Sequence, residues 1–351
     1  MSRRTRKLSP NRAIIYIVLL ALLWCAKYIY ENRLDTEYAQ KGDTSLLVPS
    51  QAQAEELQSQ QEPQQKSEDS ESSSSKSARD ATPKHKYSGW AELPAERKAK
   101  NLYYAYHLIA EEQADDPRRN YAVCFDSEQH CPAWIAAILH PSYNGDTKRI
   151  DNYQFDPQLP VNIQPNLKRS YGGDYSRGHL LGSAERNISR AANTQTFYST
   201  NIAPQIRIGF NSAAGAWNNL EALVEKQICA DTLYVVTGCI FGEFTDSDGT
   251  TIQPTTITNR NDEKPIGVPT AYYKALLRTR RGDTGKSVLE CKASELKCAA
   301  FVVGHRSAKG RKPSAKELIS IKELERLTGE KFFVNVKHAP KNQAEPADWG
   351  L

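Results

Sequence analysis

From Gln51 to Lys76 the chain consists almost entirely of Gln, Glu, Ser, Ala, Lys and Pro, with an unbroken serine run from Ser72 to Ser75. Such a stretch cannot bury enough apolar surface to offset the cost of ordering its own backbone. Residues 35–85 therefore read as a disordered tether, with at most a short helix over 53–60. Internal repeats are not evident. A folded core must come from the C-terminal remainder of the chain, beginning near Lys86. That leaves roughly 260 residues, enough for one large α+β body.

Ahead of the tether, Arg3, Arg4, Arg6, Lys7 and Arg12 precede an uncharged run from Ala13 to Ala26. A basic flank of this kind predicts a cytoplasmic N-terminus, with everything beyond the run exported. The run has the length of a signal-peptide core. However, Leu23-Trp24-Cys25-Ala26 sets bulky residues where a peptidase needs small ones. Lys27 can snorkel and extend the span to Tyr30. Residues 1–34 read as a signal anchor that leaves the domain facing the periplasm; cleavage and secretion is the alternative. Cys25 would suit a lipoprotein, but Trp24 before it does not.

The net charge of +5 suits a polyanionic partner and equally suits a mildly basic surface. Of seven cysteines, one lies in the anchor. Cys124 and Cys131 flank the turn of one expected hairpin, and Cys291 and Cys298 flank another. In an oxidising compartment each pair is expected to close a cross-strand disulfide. Cys229 and Cys239 bracket an extended strand and are left open. No C-x-x-C occurs and the His residues show no ligand spacing, which argues against zinc.

Strand-like runs cover 120–125, 133–139, 232–238 and 269–279; 101–109 reads as strand on its tyrosine density, with helix as the alternative; and residues 287–291 and 298–303 form the second expected hairpin. Ser314, with Glu317 three residues on, predicts a last helix over 314–327. Residues 246–249 read as a loop, and 305–312 as a basic loop that either tracks a nucleic-acid backbone or only solubilises. Arg278, Arg280 and Arg281 carry the same ambiguity.

The chemistry concentrates between Tyr171 and Lys226. Ser176-Arg177-Gly178-His179 is followed by a polar run, then Asn201-Ile202-Ala203-Pro204-Gln205, then a helical stretch with Asn211, Trp217, Asn218, Asn219 and Glu221. An imidazole near neutral pH can take a proton from water, and a guanidinium fork can hold a phosphate. An amide oxygen and a carboxylate suit Mg²⁺, which keeps most of its waters. Singly, each of these residues has an ordinary structural explanation: turn, cap or solvated face.

Together they resemble the DNA/RNA non-specific endonucleases, the ββα-metal nucleases related to secreted bacterial nucleases and mitochondrial endonuclease G. The resemblance rests on R-G-H, N-I-A-P-Q and A-W-N-N-L-E in that order. Lys148-Arg149 before Asp151 and Tyr153, Tyr234–Gly238, Val268–Lys274 and Ile321–Gly329 also match. It covers about 120–335. It implies an α+β fold, the mixed ββα-metal (His-Me finger) type with a central sheet and flanking helices, over a domain of 86–340 with 341–351 as a tail. It further implies a metal-dependent endonuclease of little sequence preference, acting on DNA and on RNA as a second substrate. His179 would be the general base. Asn211 would hold Mg²⁺ (or Mn²⁺), and Glu221 would order its waters. Arg149 and Arg177 would lie at the scissile phosphate.

Two departures stand out. The family motif usually begins with Asp, where this chain has Ser176. The family's Asn usually lies four residues before the Trp, whereas Asn211 lies six before Trp217, with Ala213 at the usual place. Either the helix starts after Asn211 or a bulge absorbs the two residues, and Asn218 or Asn219 is the competing ligand. The rival readings are a catalytically inactive nucleic-acid-binding relative, a phosphodiesterase on a smaller substrate, and a structural envelope protein.

Overall fold

The computed structural model describes residues 89–109 and 118–351; the anchor, the tether and the helix expected over 53–60 lie outside the described residues. In chain order the strands are β1 (Leu102–Ile109), β2 (Arg118–Asp126), β3 (Cys131–Leu139), β4 (Tyr175–His179), β5 (Ile202–Ile206), β6 (Leu233–Ile240), β7 (Phe244–Thr245), β8 (Thr251–Ile252), β9 (Thr255–Thr258), β10 (Pro265–Val268), β11 (Ala271–Thr279), β12 (Leu296–Gly304) and β13 (Leu318–Ile319). Among the described residues three α-helices accompany them: α1 (Arg190–Gln195), α2 (Ala216–Glu225) and α3 (Ile321–Thr328). Among the described residues no helix is long and apolar enough to cross a membrane.

Seven strands form one antiparallel sheet in the order β1-β2-β3-β6-β11-β12-β13. Its central strands are apolar on both faces because both faces are covered. On one face Tyr121, Val123, Ile135, Val235, Tyr272 and Leu276 pack against Trp217, Leu220 and Val224 of α2. On the other, Trp134, Val236, Tyr273 and Leu277 pack against Ile321 and Leu324 of α3 and against Phe332 and Phe333. The long excursion between β3 and β6 carries β4, α1, β5 and α2. This is the ββα element, and it is laid on the first face.

The strands expected over 101–109, 120–125, 133–139, 232–238, 269–279 and 298–303 form, and two expectations further on are corrected. Residues 287–291 are a turn rather than a strand: Glu290 N–H donates to the Ser287 carbonyl, and Leu289 stands exposed. β12 pairs instead with β11 and β13. The last helix begins at Ile321, not at Ser314. Both Ser-x-x-Glu motifs are made, Ser314 with Glu317 and Ser320 with Glu323. Only the second is a helix capping box, because Leu318–Ile319 between them is drawn into the sheet edge.

The expected disulfides are absent: among the described residues all six cysteines are free thiols. The register explains the first pair. Cys124 lies opposite Trp134 while Cys131 lies opposite Asp126, and the two thiols sit in the cores on opposite faces of the sheet. Cys131 instead faces Cys239. For the second pair, Cys291 sits in the 287–291 turn, with its thiol on the Ser287 carbonyl, rather than on a strand beside Cys298.

The 341–351 segment is packed. Trp349 is buried in the core, Asp348 takes a two-pronged ion pair from Arg280, and Lys297 donates to the Asp348 carbonyl. Arg278 is buried on the carbonyls of Gln227 and Thr279, and Arg281 pairs with Asp283. Arg278 and Arg280 are thus committed to the body, while Arg281 stays at the surface. Truncating Trp349 to Ala is expected to cost about 3–5 kcal/mol, the usual range for a buried large aromatic. Urea unfolding of the variant measures this, and a loss below about 1 kcal/mol would mean that the segment is not part of the core.

Candidate active site

β4 and β5 pair antiparallel, Tyr175 opposite Ile206 and His179 opposite Ile202. Side-chain alternation puts Arg177 and His179 on one face of this ribbon and Ser176 and Gly178 on the other. At position 178 an added Cβ would stand 2.2 Å from the buried Gln205 side chain, so any larger residue requires that side chain to move.

His179 lies on an aromatic floor of Phe197 and Tyr153, with ring centroids 4.9 and 5.9 Å away. Two arginines close over the same floor. Arg177 lies 3.7 Å from the Tyr153 centroid and Arg149 lies 4.9 Å from that of Phe197. Arg149 is held by Asp151, Ser183 and the Tyr153 hydroxyl. Arg177 spends Nη1 on the carbonyls of Leu167 and Lys168. The imidazole hydrogen-bonds the Arg177 backbone, while Nε2 is shielded from solvent and has no hydrogen-bond partner. Burial first, then the Arg149 charge, pushes the imidazole down to about 3, so at neutral pH it is uncharged with a free lone pair.

Helix α2 begins at Ala216, so the helix starts after Asn211 and the two extra residues lie ahead of it. Ala213 and Ala214 absorb the extra length, both with left-handed φ (57° and 54°). Asn219 braces them: its Nδ2 donates to the carbonyls of Ala214 and Arg311. Asn211 donates Nδ2 to the Ser176 hydroxyl at 2.8 Å, and that hydroxyl donates on to the Gln205 carbonyl at 3.1 Å. This donor chain fixes the amide so that Oδ1 is left without a protein partner among the described residues. Ser176, the departure from the family pattern, is therefore what orients Asn211.

Glu221 stands one turn beyond Trp217 on α2. Burial raises its carboxyl to about 7, opposed by Lys274 and reinforced by Glu185. It faces these two charges rather than the arginines around His179. Of the expected residues, then, His179, Arg177 and Arg149 form one cluster. Asn211 joins β4 through Ser176, and Glu221, half-buried on α2, has Lys274 and Glu185 as its charged neighbours. Sequence reasoning missed Phe197 and Glu185, and quoted Lys274 only as one letter of a motif. For Lys274 the available signal was a lone cation in the apolar run Ala271–Leu277.

The basic loop 305–312 braces this region more than it offers free charge. Arg306 pairs with Asp246 and Asp248, and Arg311 pairs with Asp248 and Glu317; Lys309 and Lys312 remain exposed. His305 is buried. It donates Nδ1–H to the Pro269 carbonyl at 2.7 Å and accepts the Ile206 N–H on Nε2 at 2.8 Å, tying the end of β5 to the main sheet.

A family model described as DNA/RNA non-specific endonuclease matches residues 103–339. Human mitochondrial endonuclease G is 26% identical over 223 residues, covering 62% of this chain and 69% of that protein. Nuclease C1 of Cunninghamella echinulata var. echinulata is 25% identical, covering 62% and 81%. A nuclease of Nostoc sp. is 26% identical, covering 62% and 73%. A chain from a solved EndoG/EndoGI complex is 22% identical with a TM-score of 0.48, covering 62% of this chain and 84% of that one. The chain belongs to the DNA/RNA non-specific endonuclease family, and the ββα element on its large sheet is the family's mixed α+β fold. Membership makes it a nuclease, a hydrolase of phosphodiester bonds.

Burial depresses His305 to about 4 from its ordinary 6.5, and no charged neighbour contributes. Its stabilising effect is complete above 6.5 and is lost as pH falls through about 4, because only the unfolded chain takes up the proton in that window. The expected slope is up to about 1.4 kcal/mol per pH unit from this one group. Stability measured from pH 7 to 5 should fall more steeply in the wild type than in His305→Gln. Equal slopes would contradict the assignment.

Proposed function

We propose that this chain is a divalent-metal-dependent endonuclease that cleaves DNA, and RNA as a second substrate, with little sequence preference. The observation that carries the reading is the His179 Nε2: uncharged, unpartnered, and walled by two arginines on an aromatic floor. A general base needs a free lone pair at neutral pH, and phosphate recognition needs guanidinium groups beside it. Both are present on one hairpin face.

By chemistry, an amide oxygen and a carboxylate are the donor types that suit a sparsely held hard cation. Asn211 offers an amide oxygen left free by Ser176, Glu221 offers a carboxylate, and Mg²⁺ accepts one or two protein ligands with water in the other positions. When bound, such an ion neutralises phosphate charge and acts as a Lewis acid. The residues of the chain supply the rest. A substrate phosphate engages the free donors of Arg177 and the guanidinium of Arg149, drawing them off the Tyr153 and Phe197 rings they cover. It also offsets the positive charge that holds His179 down, so Nε2 becomes more basic as substrate arrives. His179 then takes a proton from the attacking water at Nε2, while its backbone hydrogen bond keeps the ring in place. Contacts to the phosphate backbone carry no sequence information, which fits cleavage with little sequence preference.

On the sequence alone we further infer export, with the domain held at the inner membrane facing the periplasm or secreted after cleavage.

Replacing His179 by Ala is expected to lower plasmid cleavage by roughly 10²–10⁴-fold with the fold intact by circular dichroism. Near-wild-type cleavage by a folded variant would remove His179 from the mechanism. For the metal, Asn211→Ala should raise the Mg²⁺ concentration needed for half-maximal cleavage. Ser176→Ala should do so to a smaller extent, and Ala213→Ser should leave it unchanged. If only Asn218→Ala raises that requirement, Asn211 is not the ligand.

A further inference from the structure

The loop between β9 and β10 reads Asn259-Arg260-Asn261-Asp262-Glu263-Lys264. Its hairpin is anchored at the base. Ile266 packs in a small apolar core that also holds Tyr153, Leu167 and Phe197, and the Gly267 N–H donates to the Gln129 carbonyl at 2.9 Å. At the tip, three side chains converge on one residue that lies 93 to 96 positions earlier. The Asn166 N–H donates to Asp262 Oδ2 at 2.7 Å. The Asn166 carbonyl accepts Nδ2 of Asn259 and Nδ2 of Asn261, both at 2.8 Å. Asn261 Nδ2 also reaches the Arg169 carbonyl at 3.2 Å.

Asn166 in turn bends its own segment: its Oδ1 accepts the Lys168 N–H at 3.1 Å, an Asx turn. The carbonyls of Leu167 and Lys168 then both accept from Nη1 of Arg177, at 2.9 and 3.0 Å. This nitrogen is pinned while the guanidinium lies over the Tyr153 ring, and Nε and Nη2 have no protein partner among the described residues. A pair of carbonyls can fix a guanidinium only if their own backbone is fixed. The polar side chains of an exposed hairpin tip are ordinarily satisfied by water. Here they are turned onto the segment that holds Arg177, so a continuous run of hydrogen bonds joins the hairpin to the phosphate-facing guanidinium.

We propose that Asn261 and Asp262 are positioning residues for Arg177: through the Asn166 turn they hold its guanidinium with Nε and Nη2 presented to a substrate phosphate. The proposal rests on the nuclease reading above. Neither residue touches substrate; both act through the carbonyls of Leu167 and Lys168.

The test uses the full chain and two readouts. One is kcat and KM for plasmid cleavage in MgCl₂. The other is affinity for a fluorescein-labelled DNA duplex in EDTA, measured by anisotropy across a range of NaCl concentrations. Asn261→Asp keeps the shape and replaces the donor nitrogen by an acceptor that faces two carbonyls. It is expected to lower kcat/KM by up to about a hundredfold, the scale of a misplaced catalytic contact. It should also weaken duplex binding and flatten its salt dependence by about one phosphate contact, as Arg177→Ala does. In an Arg177→Ala background, Asn261→Asp should add nothing to either readout. Wild-type values of both readouts in Asn261→Asp would overturn the proposal, and so would full multiplication of its effect with that of Arg177→Ala. Should Asn261→Asp fail to fold, Asp262→Ala removes the acceptor of the Asn166 N–H. It is expected to lower kcat/KM about three- to tenfold, the scale of one hydrogen bond, and Asp262→Asn should recover most of the loss because its amide oxygen accepts the same N–H. An unchanged kcat/KM in Asp262→Ala overturns the proposal equally. A wild type that binds duplex but cleaves nothing sinks the nuclease reading, while the binding comparison still decides the role of the hairpin. A wild type that does neither overturns both.

Discussion

The site depends on the antiparallel pairing of Tyr175–His179 with Ile202–Ile206. The ribbon is only five residues long on each side, too short to be stable by itself. It is held at one end by His305, which accepts the Ile206 N–H, and at the other by Asn201, whose side chain binds both backbone groups of Leu181. Gln205 fills the space beside Gly178, so the two strands approach without a side chain between them. With the ribbon fixed, alternation sends Arg177 and His179 to one face and Ser176 to the other. The imidazole thereby reaches Phe197 and Tyr153 while the hydroxyl reaches Asn211.

Two kinds of electrostatics meet on the ββα element. Around His179, burial and positive neighbours hold an imidazole uncharged. Around Glu221, burial works against the charged form and Lys274 works for it. The large sheet supplies both conditions. It excludes water from one face of the ββα element, and it brings a cation from its own central strand up under α2. The aspartates and arginines between 246 and 317 play a supporting part. They hold the 305–312 loop against the Asn211 loop through Asn219, Gly310 and Ala308.

Much of this was legible in the sequence, and for physical reasons. The central strands are long, rich in Val, Tyr, Leu and Ala, and bounded by turn residues, so composition alone marks them. R-G-H, N-I-A-P-Q and A-W-N-N-L-E lie in segments where backbone geometry admits few residues, as Gly178 illustrates. What could not be read were facts of register and of rotation. Cys124 and Cys131 flank one turn, yet a bulge between Cys124 and Phe125 helps send them to opposite faces. Ser314 and Ser320 carry the same capping pattern, and only the pairing of Leu318–Ile319 with β12 decides between them. The brace from Asn219 to Arg311 spans 92 positions and leaves no local trace. Lys274 was visible as a lone charge in an apolar strand, but its neighbours on α2 were not.

The central claim is that a hairpin-held imidazole and a sparse oxygen-donor set make this chain a metal-dependent nuclease. The most direct measurement follows supercoiled plasmid incubated with the purified protein, once with MgCl₂ and once with EDTA. The account predicts nicked circles and then fragments with no preferred cut site in Mg²⁺, and intact supercoils in EDTA. Supercoiled plasmid surviving both conditions, or cleaved equally in both, would contradict it.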